Sequence, residues 1–179
     1  MNPDIHDYIR PGKRAHLVGI GGVFMSPLGE VLHGAGVNIT GSDLHESATV
    51  AHLRSLGIPV VIGHLPESVQ GADCVIRTAA VHDDNPEIAA ARAAGIPVFE
   101  RAQAWGAIMR HYQNALCVAG THGKTTTTSM CTHIFLAAQR DPTVMIGGVL
   151  PALGAGHRVG KGDTIILESC EYCNSFLSF

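Results

Sequence analysis

The chain is poor in several features that mark particular protein classes. Aromatic residues make up 5% of its 179 residues, with one Trp, and charged residues 15%. No run of Lys or Arg forms a basic stripe, and the formal net charge is −3. Binding a phosphate backbone needs clustered cations, so nucleic acid is not expected as a partner. No apolar run approaches the roughly 18–20 residues that span a bilayer, and no membrane partner is expected. Residues 1–14 are polar, with charges of both signs, and lack the apolar segment of a secretion signal. A cytoplasmic location is the resulting expectation. Cysteines are few and odd in number: Cys74, Cys117, Cys131, Cys170 and Cys173. That argues against a disulfide framework. Cys74 and Cys117 lie in apolar runs and read as small buried hydrophobes. Cys170 and Cys173 match C-x-x-C, but the second ligand pair of a zinc site is not evident.

What is present is apolar, aliphatic and glycine-rich. Hydrophobic residues make up 46%, and there are 21 Gly. Ample core material with many tight turns points to an α/β protein. Strands are expected at Ala15–Ile20, Val37–Thr40, Pro59–Ile62, Asp73–Thr78 and Pro97–Phe99. Helices are expected at Met25–His33, Ala48–Leu56, Pro86–Ala94 and Arg101–Tyr112, the first three closed by glycines. This alternation implies a parallel, doubly wound sheet, in which ligands bind at the carboxyl ends of the strands. Gly19–Gly22, Gly41–Asp43 and Arg77–Val81 then form one site. A second unit starts near Ala115, with a strand at Leu116–Ala119, a helix at Lys124–Ala138, and strands at Thr143–Ile146 and Thr164–Leu167. The stretch from Gly147 to Gly162 holds six Gly and reads as loop.

Two glycine loops carry the chemistry. Gly19, Gly21 and Gly22 follow a strand and open a helix, where backbone N–H groups can approach a diphosphate. Asp43 ends the next strand and can accept from a ribose hydroxyl. The dinucleotide pattern G-x-G-x-x-G would require Gly at 24, and Phe24 is expected to crowd helix–strand packing, which disfavours NAD. The second loop is Gly120-Thr121-His122-Gly123-Lys124-Thr125, followed by Thr126. It ends like a Walker A motif, although Val118 stands where the first Gly should be. Backbone N–H groups from Thr121 to Thr125 can surround a phosphate, Lys124 can neutralise it, and the Thr125 hydroxyl can ligate Mg²⁺. Four consecutive Thr, Thr125–Thr128, are weak helix formers, and such a local cost hints at function. Glu168 follows an apolar run and would emerge beside the phosphates if its strand neighbours the loop's strand. Glu171 is a second acidic candidate. His16, His33, His52, His64 and His133 show no partner spacing, and His82-Asp83-Asp84 reads as a solvated loop.

Taken in order, Gly19-Ile20-Gly21-Gly22-Val23-Phe24-Met25-Ser26, Gly41-Ser42-Asp43-Leu44, Arg77-Thr78-Ala79-Ala80-Val81, Asp84-Asn85-Pro86-Glu87-Ile88, Gly120-Thr121-His122-Gly123-Lys124-Thr125-Thr126-Thr127 and the segment from Glu168 to Leu177 resemble the Mur ligases of peptidoglycan synthesis. The resemblance covers nearly the whole chain. It is nearest the member that adds the first amino acid, L-alanine, to UDP-N-acetylmuramate. The resemblance implies a Rossmann-like UDP-sugar-binding domain over residues 1–112. After it would come the start of a P-loop-type central domain over residues 113–179, with ATP and Mg²⁺ as cofactors. It places Gly19, Gly21, Gly22, Asp43, Thr78, Ala79 and Ala80 at the UDP-sugar site. Gly120, Thr121, His122, Gly123, Lys124, Thr125 and Thr126 would take ATP. Lys124 and Glu168 would act in catalysis, and Thr125 and Glu168, with Glu171 less firmly, would hold the metal. The lactyl carboxylate would be phosphorylated by ATP, and the acyl phosphate then attacked by the amine of L-alanine. The family's later segments and third domain have no counterpart here, so the chain alone is expected not to ligate alanine. Alternatives are the recycling ligase that adds a tripeptide to the same sugar nucleotide, a non-catalytic UDP-sugar-binding module, and a dinucleotide oxidoreductase.

Overall fold

The computed structural model describes residues 3–169. The chain divides into two compact units, Met1–Ala104 and Trp105–Phe179. The first is a Rossmann-like α/β unit. Its strands are β1 (Arg14–Val18), β2 (Asn38–Asp43), β3 (Val60–Ile62), β4 (Cys74–Arg77) and β5 (Val98–Glu100). They form one sheet in the order β3-β2-β1-β4-β5, with every pair parallel. The helices are α1 (Ser26–Gly34), α2 (Ala48–Ser55) and α3 (Pro86–Ala93), and α4 (Arg101–Met109) runs across the division between the units. Short 3-10 turns at Ile5–Asp7 and Pro66–Val69 were not anticipated from the sequence.

Local chemistry explains the boundaries. Ser47 caps α2 by accepting from the Val50 N–H, and Asn85 caps α3 by accepting from the N–H groups of Glu87 and Ile88. Pro86 opens α3, where its missing N–H costs nothing. Gly36, Gly57 and Gly95 follow helix ends with positive φ, the left-handed conformation that glycine tolerates. β1 is the central strand, and four of its five residues are buried, as a strand covered on both faces requires. Val18 and Val75 pack with Ile88 and Ala91 of α3 on one side. Cys74 is buried, and burial pushes its thiol up to about 12, so it behaves as an inert core residue.

Phe24 does not crowd the helix–strand contact. It lies before α1, half-buried, with the Arg101 guanidinium 4.9 Å from its ring centroid. The close approach occurs at Gly41 instead. A Cβ on Gly29 would stand 3.4 Å from Ile20 Cδ1, an ordinary contact. A Cβ on Gly41 would stand 2.6–2.9 Å from three atoms of Ile20, which is itself fully buried beneath the first glycine loop. Replacing Gly41 with Val is therefore expected to destabilise the first unit by about 1–3 kcal/mol through overpacking. Thermal unfolding of the variant measures this.

The second unit holds β6 (Asn114–Val118), α5 (Lys124–Ala137), β7 (Thr143–Leu150), β8 (Ala155–Arg158) and β9 (Thr164–Glu168). The sheet order is β6-β9-β7-β8, with β8 antiparallel to β7 and the other pairs parallel. The glycine-rich stretch expected as loop is largely a hairpin. β7 continues to Leu150, and β8 returns with Met145 opposite His157 and Leu150 opposite Ala155. A Cβ on Gly156 would stand 3.0 Å from the Gly148 carbonyl oxygen, so glycine here permits close backbone approach while masking the strand in sequence. Val144, Ile146, Leu150 and Ile166 form the core, with Cys131 and Phe135 of α5 against it. Cys117 corrects a second expectation. It is exposed, because β6 is an edge strand whose Ala115 and Cys117 lie on an uncovered face.

Candidate functional sites

In the first unit, strand order reverses between β1 and β4, and sheets of this kind bind ligands in the crevice beyond the carboxyl ends of the strands at that point. The Gly19 and Ile20 N–H groups both donate to the Ser42 carbonyl at 2.9 Å, tying the first loop to β2. Gly19 has φ +77, and a Cβ there would stand 3.7 Å from Thr78 Cγ2 at the end of β4. Sequence-distant Gly19 and Thr78 are thus neighbours across the crevice. Asp43 Oδ2 accepts from the Gly21 N–H at 2.9 Å, and Oδ1 from the His45 N–H at 3.2 Å. Asp43 therefore holds the loop's shape, and a carboxylate with about four lone-pair sites retains capacity for a ligand hydroxyl. Thr78 turns the chain after β4, its Oγ1 accepting from the Ala80 N–H at 2.9 Å. Arg77 anchors the following loop by pairing with Asp83 at 2.6 Å and Glu100 at 2.9 Å, and Arg92 also reaches Asp83. The hydrogen bonds from Arg92 and Arg77 hold the Asp83 carboxyl below the usual range.

Sequence reasoning missed a polar cluster directly beneath this site. His16 and Glu87 are 1% and 0% exposed. Glu87 Oε1 lies 3.3 Å from His16 Nε2, and Oε2 accepts from Ser42 Oγ at 2.6 Å and lies 2.9 Å from His64 Nδ1. His16 Nδ1 lies 2.9 Å from Thr40 Oγ1. The only trace in the sequence was a His inside an otherwise apolar strand. Burial on its own would push the Glu87 carboxyl up, yet hydrogen bonds from His16, Ser42 and His64 outweigh it and hold the group below its usual 4.5. Because the folded value lies below the unfolded one, Glu87 adds stability above about pH 4.5. That stability is lost as pH falls through the lower folded value. Acid unfolding of Glu87→Gln should accordingly show a weaker pH dependence below about pH 4.5 than the unaltered chain.

In the second unit, the loop after β6 leads into α5 through Gly123, whose φ of +78 makes the turn into the helix. The Lys124 ammonium donates to the Gly120 carbonyl at 2.6 Å, folding its side chain back over the loop. β9 lies directly beside β6 with Glu168 opposite Val118, so the condition placed on Glu168 from sequence is met. Thr125 Oγ1 lies 2.9 and 3.1 Å from the two Glu168 oxygens. Gly147, which the sequence reading left in a loop, donates its N–H to Glu168 Oε2 at 2.7 Å. A Cβ on Gly147 would stand 3.0–3.2 Å from the Glu168 carboxylate, so glycine makes room for that bond. His122 is exposed in the loop, and so are Thr121 and Thr126. Thr128 is buried, and Ser129 and Thr132 bond back to the carbonyls of Thr125 and Thr128 at 2.7 and 2.8 Å. Glu171 lies outside the described residues.

The donor set fits Mg²⁺ with a nucleotide. A hydroxyl and a carboxylate are hard oxygen donors, and Mg²⁺ ordinarily takes one or two such protein ligands along with phosphate and water. Among the described residues no group of three or more His, Cys, Asp or Glu gathers to hold a metal by itself. No helix among them is long and apolar enough to cross a membrane.

The profile described as "Mur ligase family, catalytic domain" matches residues 14–113. A UDP-N-acetylmuramate–L-alanine ligase of Agathobacter rectalis is 51% identical over 97% of this chain and 38% of its own length. One from Caldanaerobacter subterraneus is 48% identical over 93% of this chain and 36% of its own length. The chain thus spans little more than a third of these relatives. Among solved structures, the UDP-N-acetylmuramate-alanine ligase of Thermotoga maritima superimposes with a TM-score of 0.78 at 36% identity, over 87% of this chain and 36% of that one. A UDP-N-acetylmuramate:L-alanyl-gamma-D-glutamyl-meso-diaminopimelate ligase from Neisseria gives 0.80 at 28%, over 89% and 53%. With more than half of its residues matched by the family profile, the chain belongs to the Mur ligase family.

Proposed function

We propose that the protein carrying this chain joins L-alanine to the lactyl carboxylate of UDP-N-acetylmuramate at the expense of ATP, in peptidoglycan synthesis in the cytoplasm. In this reading a domain over residues 1–112 takes the sugar nucleotide, and residues 113–179 begin the ATP-binding domain. The observation that carries this reading is the meeting of Thr125 and Glu168 at 2.9 Å beside the Gly120–Lys124 loop, in a chain with relatives of that activity.

Gly19, Gly21, Gly22, Asp43, Thr78, Ala79 and Ala80 line the sugar-nucleotide site in this proposal. Gly120, Thr121, His122, Gly123 and Thr126 wrap the ATP phosphates, and Lys124 neutralises charge as the γ-phosphoryl group moves. A carboxylate is a poor acylating agent near neutral pH, so the first step turns it into an acyl phosphate. A carboxylate oxygen attacks the γ-phosphorus and ADP leaves. The alanine amine then attacks the acyl carbon and phosphate leaves. Thr125 and Glu168 would hold Mg²⁺, which when bound would supply charge neutralisation at the phosphates. The chain's own work is positioning and charge placement.

The tripeptide-adding alternative is represented by the Neisseria structure at 28% identity, and the higher identities to alanine-adding relatives favour L-alanine. Phosphate release by the whole protein, with UDP-N-acetylmuramate and ATP present, should require L-alanine. Release that requires the tripeptide instead would overturn the assignment.

A further inference from the structure

With Glu87 ionised and both imidazoles neutral, one hydrogen assignment satisfies the polar atoms of the Glu87 cluster. In it, Ser42 Oγ–H donates to Oε2, and both imidazoles must carry a proton on the nitrogen facing the carboxylate. His16 is then Nε2–H, and its Nδ1 accepts from Thr40. His64 is Nδ1–H, the minority form of a free imidazole. The lowered Glu87 carboxyl supports ionisation. So does its place in the first turn of α3, where the helix dipole favours an anion.

His64 belongs to the edge of the sheet where ligands bind. It follows Gly63, whose N–H donates to the Asp43 carbonyl at 2.8 Å. Ser42, which anchors the first glycine loop through its carbonyl, touches His64 Nδ1 at 3.2 Å through its hydroxyl. The side chain of His64 is 13% exposed, against 0% for Glu87. The geometry of the ring turns Nε2 away from Glu87, and no partner for Nε2 is found among the described residues.

We propose that Glu87 is a positioning residue: its buried carboxylate locks His64 as Nδ1–H, so that Nε2 offers an acceptor lone pair to a hydroxyl or N–H of the bound sugar nucleotide. This rests on reading the glycine-loop crevice as the sugar-nucleotide site. The specificity it adds is of one kind. A lone pair at Nε2 accepts from a donor group and does not favour the diphosphate, which the loop N–H groups would take.

The test uses the 179-residue chain with ¹⁵N-labelled histidine. Ring spectra of the ligand-free chain should show a pyrrole-type Nδ1 and a pyridine-type Nε2 for His64, and either the reverse pattern or two protonated nitrogens would overturn the inference. Calorimetry with UDP-N-acetylmuramate should show His64→Ala binding roughly five- to tenfold more weakly, the usual effect of one hydrogen bond. Glu87→Met should release the tautomer and lose a similar factor. Combined with His64→Ala it should lose little more, because both remove the same contact. Glu87→Gln keeps a carbonyl acceptor and should bind within about twofold of the unaltered chain. If Glu87→Met fails to fold, the spectra and the His64→Ala titration still decide. Equal binding by His64→Ala would overturn the inference alone. No binding by the unaltered chain would overturn the reading of the crevice and the role of His64 with it, whatever the spectra show.

Discussion

Replacing Lys124 with Ala should weaken ATP binding by about 10- to 100-fold, the range for losing a charged hydrogen-bond donor to phosphate. The side chain already lies over the loop, bonded to the Gly120 carbonyl at 2.6 Å. Binding exchanges that neutral acceptor for an anionic one, so the ammonium needs only a short movement. Lys124→Arg should not restore affinity, since a planar guanidinium fork cannot replace a compact point charge inside a tight loop. Titration with ATP measures both variants. Their UDP-N-acetylmuramate affinity should be unchanged, because the proposed sugar-nucleotide residues all lie in the first unit.

The second large effect is expected at Glu168. Glu168→Ala removes the carboxylate that meets Thr125 Oγ1 and the Gly147 N–H. Binding of ATP in the presence of Mg²⁺ should fall by tenfold or more, roughly the scale seen when metal-site residues or their supports are lost. Binding of ATP without Mg²⁺ should change little, which titration in chelator measures. Gly147→Val should reproduce part of the Mg²⁺-dependent loss, because its Cβ would stand 3.0–3.2 Å from the carboxylate and displace it. Equal losses with and without Mg²⁺ would instead mean that Glu168 shapes the loop.

Much of the fold was legible because the first unit follows simple local rules. Apolar runs of strand length alternate with capped helices, and glycines stand where the chain turns. The glycine loops could be placed for the same reason, each lying between a strand and a helix. Other features depend on contacts that a linear reading cannot weigh. Gly148 and Gly156 look like loop residues, yet their backbones meet across the β7–β8 hairpin. Gly147 looks equally bland until β7 is set beside β9 and its N–H reaches Glu168. Phe24 breaks a motif position without crowding anything, whereas the close contact falls at Gly41. His16, His64 and Glu87 are separated by up to 71 residues, and only the parallel sheet brings them together.

Calorimetric titration of the chain with UDP-N-acetylmuramate, and separately with ATP and Mg²⁺, decides whether the two glycine loops take two different ligands. The sugar nucleotide should bind, Gly21→Val should abolish this by driving its side chain into the Asp43 carboxylate, and Lys124→Ala should leave it intact. Failure of the sugar nucleotide to bind a folded chain, or loss of its binding through Lys124→Ala, would contradict the assignment of the two loops to two different ligands.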